Sequence, residues 1–284
     1  MDPGPTARDD TRVGSLISGP DPVLMGILNV TPDSFSDGGE FFDLAPAVAQ
    51  ATSMLDEGAR IVDVGGESTR PGSEAVSPEE ELRRSIPATR GILEIRPEAV
   101  ISIDTYRASA AEAALDAGAQ IVNDVTALRG DPKMASLVAE RGSPVVLMHM
   151  LGEPKTMQEN PRYEDVVREV RDFLAYRAEH AIRAGVEEED IILDPGIGFG
   201  KTLEHNLRLL NRLDALVELG FPVLVGASRK SFLGRIVGGG TKDRLFGTVA
   251  TTVLAYERGA TLFRVHDVRP NAEALAVASA VREA

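Results

Sequence analysis

From Val23 onward the chain repeats one unit eight times: a short apolar run rich in β-branched residues, a turn of Gly, Pro or Asp, and a longer segment of helical period. The apolar runs are Val23–Leu28, Arg60–Val64, Val100–Ile103, Gln120–Val122, Val145–Met148, Ile191–Leu193, Pro222–Val225 and Leu262–Val265. The helical segments are Ala45–Glu57, Pro78–Ile95, Ala108–Asp116, Met134–Arg141, Tyr163–Arg183, Leu203–Leu219, Arg244–Arg258 and Asn271–Glu283. Gly58, Gly118, Gly142, Gly185, Gly220 and Gly259 stand where a left-handed residue ends a helix.

Strands alternating with helices, each strand apolar on both faces, specify a parallel sheet covered by helices. Eight units favour closure into a single (β/α)8 barrel. An open doubly wound sheet is the rival, but the first turn, Asn29–Gly39, lacks the glycine spacing of a dinucleotide site. Residues 23–284 read as one barrel domain, and residues 1–22, rich in Pro, Gly and Asp, as a flexible N-terminal arm without the order of a signal peptide.

A net charge of −14 and the lack of any Lys/Arg cluster exclude a nucleic-acid binder, because phosphate neutralisation needs a basic face. Zero cysteines exclude disulfides, thiolate metal sites and cysteine nucleophiles. No run reaches the roughly 20 apolar residues of a membrane span. A cytoplasmic protein with no membrane partner is expected.

In a (β/α)8 barrel, chemistry is built at the C-terminal ends of the strands. Reading just past each apolar run gives Asn29, Glu67 with Thr69 and Arg70, Asp104, Asn123, His149, Asp194, Lys230, and Arg264 with His266. Each has an ordinary explanation as a helix cap or turn residue. Their convergence on one rim points to a site. Asp104, Asn123 and Asp194 suit a planar heterocycle with neighbouring N–H groups and a carbonyl, since a carboxylate accepts two parallel hydrogen bonds from such an edge. Arg264 and His266, two apart on the last strand, face the same way and suit a phosphate or pyrophosphate. Asn29 offers an amide ligand for a Mg²⁺ ion that bridges pyrophosphate oxygens. The segment Gly226–Ser231 closes strand seven, and its backbone N–H groups with the Ser231 hydroxyl suit a small carboxylate.

Two near-motifs fail. Gly196–Thr202 resembles a phosphate loop, but Pro195 occupies the position of its first glycine. Gly226–Lys230 fails as a nucleophile elbow because Lys230 replaces the second glycine. His180 and His205 fall within helical patterns and are expected on the surface.

From about Met25 to the C-terminus the chain resembles the bacterial dihydropteroate synthase family. The blocks that carry the resemblance are Gly26–Gly39 (GILNVTPDSFSDGG), Asp63–Gly72 (DVGGESTRPG), Ser102–Thr105, Asn123–Val125, Asp194–Lys201 (DPGIGFGK), Ser228–Ser231 (SRKS) and Arg264–Val268 (RVHDV). The resemblance implies transfer of a dihydropterin-6-ylmethyl group from its pyrophosphate to 4-aminobenzoate, the reaction that sulfonamides block. It implies that Asp104, Asn123, Asp194 and Lys230 hold the pterin, with Met148, Phe199 and Gly226 lining its slot. Asn29, Arg264 and His266 would grip the pyrophosphate and Mg²⁺, and Phe35, Thr69, Arg70, Pro71 and Ser231 would surround the aminobenzoate. The first two blocks would be mobile loops, and a homodimer would form through the later helices near Ala255.

Leaving-group departure would then need little help from a base, since the pterin ring delocalises the developing positive charge. Two rivals follow from the same residues. A methyltetrahydrofolate-dependent methyltransferase barrel shares the pterin slot but not the SRKS and RVH blocks in this form. A catalytically silent pterin-binding paralogue would carry lesions in the loops or the anion pair, and none is visible.

Overall fold

The computed structural model describes residues 10–30, 44–67, 76–153 and 155–284. Within them the eight strands are β1 (Val23–Asn29), β2 (Ile61–Gly65), β3 (Val100–Asp104), β4 (Ile121–Asp124), β5 (Val145–Met148), β6 (Ile191–Asp194), β7 (Leu224–Val225) and β8 (Leu262–Val265). All pair in parallel, in the order β6-β5-β4-β3-β2-β1-β8-β7. A parallel bridge between Leu193 and Val223 joins β6 to β7 and closes the ring. This is the (β/α)8 barrel expected from the alternation.

The helices that cover it are α2 (Leu44–Asp56), α3 (Pro78–Ile95), α4 (Ala108–Asp116), α5 (Met134–Arg141), α6 (Val166–Arg183), α7 (Leu203–Asn211), α8 (Asp214–Val217), α9 (Ser231–Val237), α10 (Leu245–Tyr256) and α11 (Val268–Glu283). Their ends follow local chemistry. Ser77 accepts the Glu80 N–H at the start of α3, ahead of Pro78, which loses no hydrogen bond at that position. Asp165 caps α6 through the N–H groups of Val167 and Arg168, so that helix begins three residues later than its periodicity predicts. The glycines expected to end helices all have positive φ, Gly58 at 109° and Gly142 at 53° among them.

Strand alternation sorts side chains into two cores. Outward residues such as Val62, Ile101, Val122, Leu193 and Phe263 pack under the helices. Inward residues Val23, Met25, Ile61, Val100, Ile121, Val146, Ile192, Leu224 and Leu262 fill the lower barrel. Stepping two residues further along the strands, the inward positions become Asp63, Ser102, Asn123, Met148, Asp194, Gly226 and Arg264, so the barrel changes from apolar to polar along its axis.

The expected flexible arm is ordered in part. An N-terminal helix, α1 (Asp10–Ser18), places Ile17, fully buried, in the lower barrel core, with Val13 and Leu16 packed beside it. The helix closes the end of the barrel opposite the polar mouth. Its short amphipathic pattern sits in a Pro- and Gly-rich stretch, and composition masked it. Two other departures are local. The single helix expected over Leu203–Leu219 breaks at Arg212, whose φ of −119° leaves the helical region, giving α7 and α8. The last helix starts at Val268, because Pro270 lies in its first turn, where no helical hydrogen bond is lost.

Candidate active site

The polar mouth is organised around Arg264 on β8. Its Nε donates to Asp63 Oδ2 at 2.6 Å and its Nη2 to Asp104 Oδ2 at 2.8 Å. Asn123 Nδ2 donates to the same Asp63 oxygen at 3.1 Å. All four side chains project inward from strands β2, β3, β4 and β8. One guanidinium therefore serves two buried carboxylates. The shortfall falls on Asp104, where burial outweighs Arg264, and nearby Asp63 adds to it, raising the carboxyl to about 7. Burial works against the charge of Arg264, but Asp63 and Asp104 over-compensate and hold it above the ordinary arginine value. Asp63 Oδ1 is buried and has no hydrogen-bond partner among the described residues. A buried acceptor left open in this way marks a place for a ligand donor or water.

A second group faces it across the mouth. Asp194, at the end of β6, accepts the Gly196 N–H at 2.6 Å. Lys230 Nζ lies 4.3 Å from the centre of the Phe199 ring and donates to the Ile197 carbonyl. Burial lowers Lys230 to about 8, opposed by Asp194, and raises Asp194, opposed by Lys230. A Cβ at Gly226 would lie 3.8 Å from Arg264 Cβ and 3.9 Å from both Asp194 Oδ2 and Lys230 Nζ, so this glycine leaves an open floor among the three charges. Val125, Met148, Met150 and Met157 form an apolar cluster beside them, with Tyr106 and Phe199 packed against it. The result is a slot with an apolar wall and charged ends.

At the β7–β8 rim, His266 N–H donates to Ser228 Oγ at 3.1 Å, and the same hydroxyl lies 3.0 Å from His266 Nδ1. Arg229 adopts φ 55°, a left-handed value uncommon for a residue other than glycine, and forks onto Asp267. That strained turn sends consecutive side chains three ways: Ser228 to His266, Arg229 to Asp267, and Lys230 into the slot.

The predicted residues Asp104, Asn123, Asp194, Lys230, Arg264, Met148, Phe199 and Gly226 thus meet in one cup. Asn29 is half-buried at the end of β1, in register with Gly65. Ser231 is exposed at the start of α9 and lines a crevice of about 90 Å³ with Gln158, Gly198, Lys201 and Arg235. Phe35, Thr69, Arg70 and Pro71, and with them the two expected mobile loops, lie outside the described residues. Arg264 and His266, expected to take an anion together, are both engaged: two carboxylates hold Arg264, and Ser228 meets His266. Glu67 belongs to a buried ion-pair network with Arg107 and Glu81. His180 is exposed as expected, whereas His205 is half-buried and completes a capping box with Thr202 at the start of α7.

Two residues escaped the sequence reading. Asp63 lies inside an apolar run, not past its end; a single charge on the inward phase of Ile61–Val64 was the signal. Lys201 belongs to a segment set aside as a failed phosphate loop. It is 3% exposed, and its Nζ contacts His149 Nδ1 at 2.9 Å.

A closed parallel barrel with paired buried charges and an open slot at the C-terminal ends of its strands defines a barrel enzyme for a polar, planar substrate. Comparison with known proteins narrows the class. The pterin binding enzyme family model matches residues 25–266. Dihydropteroate synthase of Synechocystis sp. is 49% identical over 91% of this chain and 89% of its own length. Two structures of Xanthomonas albilineans dihydropteroate synthase align over 93% of this chain. The one with 4-aminobenzoic acid has a TM-score of 0.87 at 46% identity and 94% coverage of its chain. The one with 7,8-dihydropteroate has a TM-score of 0.84 at 43% identity and 95% coverage. The chain belongs to the pterin binding enzymes, within the dihydropteroate synthase family.

Proposed function

We propose that the chain is an enzyme that joins the pterin pyrophosphate 6-hydroxymethyl-7,8-dihydropterin pyrophosphate to 4-aminobenzoate, releasing pyrophosphate and 7,8-dihydropteroate. The observation that carries this reading is the slot itself: Asp194 and Lys230 at one side, the Asp63–Arg264–Asp104 bridge at the other, and Gly226 open between them. Asp194 accepts the paired N–H groups of the pyrimidinone edge. Lys230 donates to the ring carbonyl side, and Asn123 and Asp104 hold the far ring. Met148 and Phe199 cover the faces.

Arg264 and His266 take the pyrophosphate, Arg264 exchanging part of its hold on the carboxylates for the incoming anion. No group of three or more His, Asp or Glu able to hold a metal ion occurs among the described residues. Asn29 supplies one neutral oxygen, a donor set suited to a Mg²⁺ ion delivered on the pyrophosphate with its waters and unsuited to a resident ion. When bound, Mg²⁺ supplies positive charge to the leaving oxygens. The C–O bond breaks with its electron pair leaving on pyrophosphate, and the arylamine nitrogen forms the new C–N bond and gives up a proton. The protein's part is to align the amine and to stabilise the departing charge. Ser231, with Phe35, Thr69, Arg70 and Pro71, accommodates the aminobenzoate.

The same reading takes a homodimer as the working assembly. Ala255 is buried at 1% exposure and is unavailable to a partner, but Phe246, Leu254, Val277 and Val281 on α10 and α11 are exposed apolar side chains suited to a second copy. No helix among the described residues is long and apolar enough to cross a membrane. The reading is tested by calorimetric titration with the pterin pyrophosphate: saturable binding that Asp194→Asn abolishes is expected, and equal binding by both proteins contradicts it.

A further inference from the structure

Behind the slot, the β6–α7 loop is held by a side-chain hub. Lys201 Nζ contacts His149 Nδ1 at 2.9 Å, the Phe199 carbonyl at 2.9 Å and the His149 carbonyl at 3.3 Å. An ammonium donates to all three, whereas a neutral amine donates to the two carbonyls and accepts from His149 Nδ1–H, so the hub is satisfied in either form; burial lowers Lys201 well below the ordinary lysine value, opposed by Asp194. Burial, with Lys201 adding to it, lowers His149 to about 2, in keeping with a neutral ring.

The hub's targets are the slot's own parts. The Phe199 peptide that Lys201 grips carries the ring under Lys230. The same loop is fixed from outside by Tyr163, which donates to the Gly200 carbonyl at 2.8 Å, and by Asn206, which accepts the Gly198 N–H at 2.6 Å. The loop's backbone leaves no slack: Gly196, Gly198 and Gly200 all have positive φ, and a Cβ on Gly198 would meet Lys230 Cδ at 2.8 Å. His149 N–H donates to the Asp194 carbonyl at 2.9 Å, which ties the hub to the carboxylate's own strand end.

We infer that Lys201 is a positioning residue for pterin recognition: through neutral His149 and the Phe199 carbonyl it sets the slot wall. The inference rests on the proposed pterin reading of the slot. The charged groups facing Asp194 are Lys230 from the β7–α9 loop, Lys201 from its own loop and Arg264 from β8. Beyond Arg264 stand Asp104 and Asp63. Burial pushes Asp194 up and these three cations pull it down, Lys230 most. Lys201 is the one of the three that does not reach into the slot, and it is wholly committed to the wall.

The test compares Lys201→Met, His149→Ala and His149→Gln with the unaltered protein in turnover and in calorimetric pterin binding. Lys201→Met is expected to raise the pterin KM about tenfold or more and leave the 4-aminobenzoate KM within about twofold. His149→Ala is expected to weaken pterin binding about tenfold, while His149→Gln, which keeps an acceptor for Lys201, restores most of it. His149→Ala with unaltered pterin affinity overturns the inference even where Lys201→Met does not fold. Equal rises in both KM values in a folded Lys201→Met overturn it as well. Unaltered protein that neither binds pterin nor turns over overturns instead the reading of the slot on which it rests.

Discussion

Arg264 Nε lies 2.6 Å from Asp63 Oδ2, and the carboxylate it meets is completely buried. Removing one partner of such a pair strands the other charge. Asp63→Ala is therefore expected to lower stability by roughly 3–5 kcal/mol in urea denaturation. It should also free Arg264 from its orientation and reduce kcat/KM for the pterin substrate. Stability within experimental error of the unaltered protein would show that the bridge is not held as described.

Arg264→Ala removes charge stabilisation aimed at the departing pyrophosphate. Steady-state assays should show kcat reduced by about 10²–10³. The pterin KM should change less than kcat, because the interaction strengthens as the leaving group separates.

Gly226→Ala separates folding from binding. Its methyl would sit at ordinary contact distances of 3.8–3.9 Å from Arg264, Asp194 and Lys230, so the empty protein accommodates it. The methyl nonetheless occupies the slot floor. Thermal denaturation should be unchanged, while pterin affinity drops by about tenfold or more. A parallel loss of thermal stability would contradict the open floor.

Two pH dependences follow. Lys230, lowered to about 8, is charged below that value and neutral above it, so kcat/KM for the pterin substrate should fall as pH rises through about 8. Stability has the same direction in a lower pH window. Asp104 is raised from 3.8 to about 7, so between those values the folded state holds a proton that the unfolded chain has released. Stability contributed below pH 3.8 is lost as pH rises towards 7 and stays lost above it. Asp104→Asn should flatten that part of the stability profile, measured by denaturation at a series of pH values.

Much of the barrel was legible because strand burial on both faces leaves an unmistakable apolar run, and six of the helix ends carry glycine. Strand β7 reduces to Leu224–Val225, and the break at Arg212 had no punctuation in the sequence. The site was legible wherever a polar residue follows an apolar run, as Asp104, Asn123 and Asp194 do. Asp63 was missed because it lies within its strand, one layer below the rim. Lys201 was missed because its partners, His149 and the Phe199 carbonyl, come from separate turns that only the closed barrel brings together. Ile17 was missed for the same reason: its value lies in the barrel end it fills. Ile17→Ala should cost roughly 2–5 kcal/mol and leave kinetics unchanged, since it acts at the far end from the slot.

The most direct test of the account is product stoichiometry. Purified protein is given the pterin pyrophosphate, Mg²⁺ and 4-aminobenzoate, and 7,8-dihydropteroate and pyrophosphate are measured together. The account predicts equal amounts of both over many turnovers; pterin bound in the slot with neither product formed would contradict it.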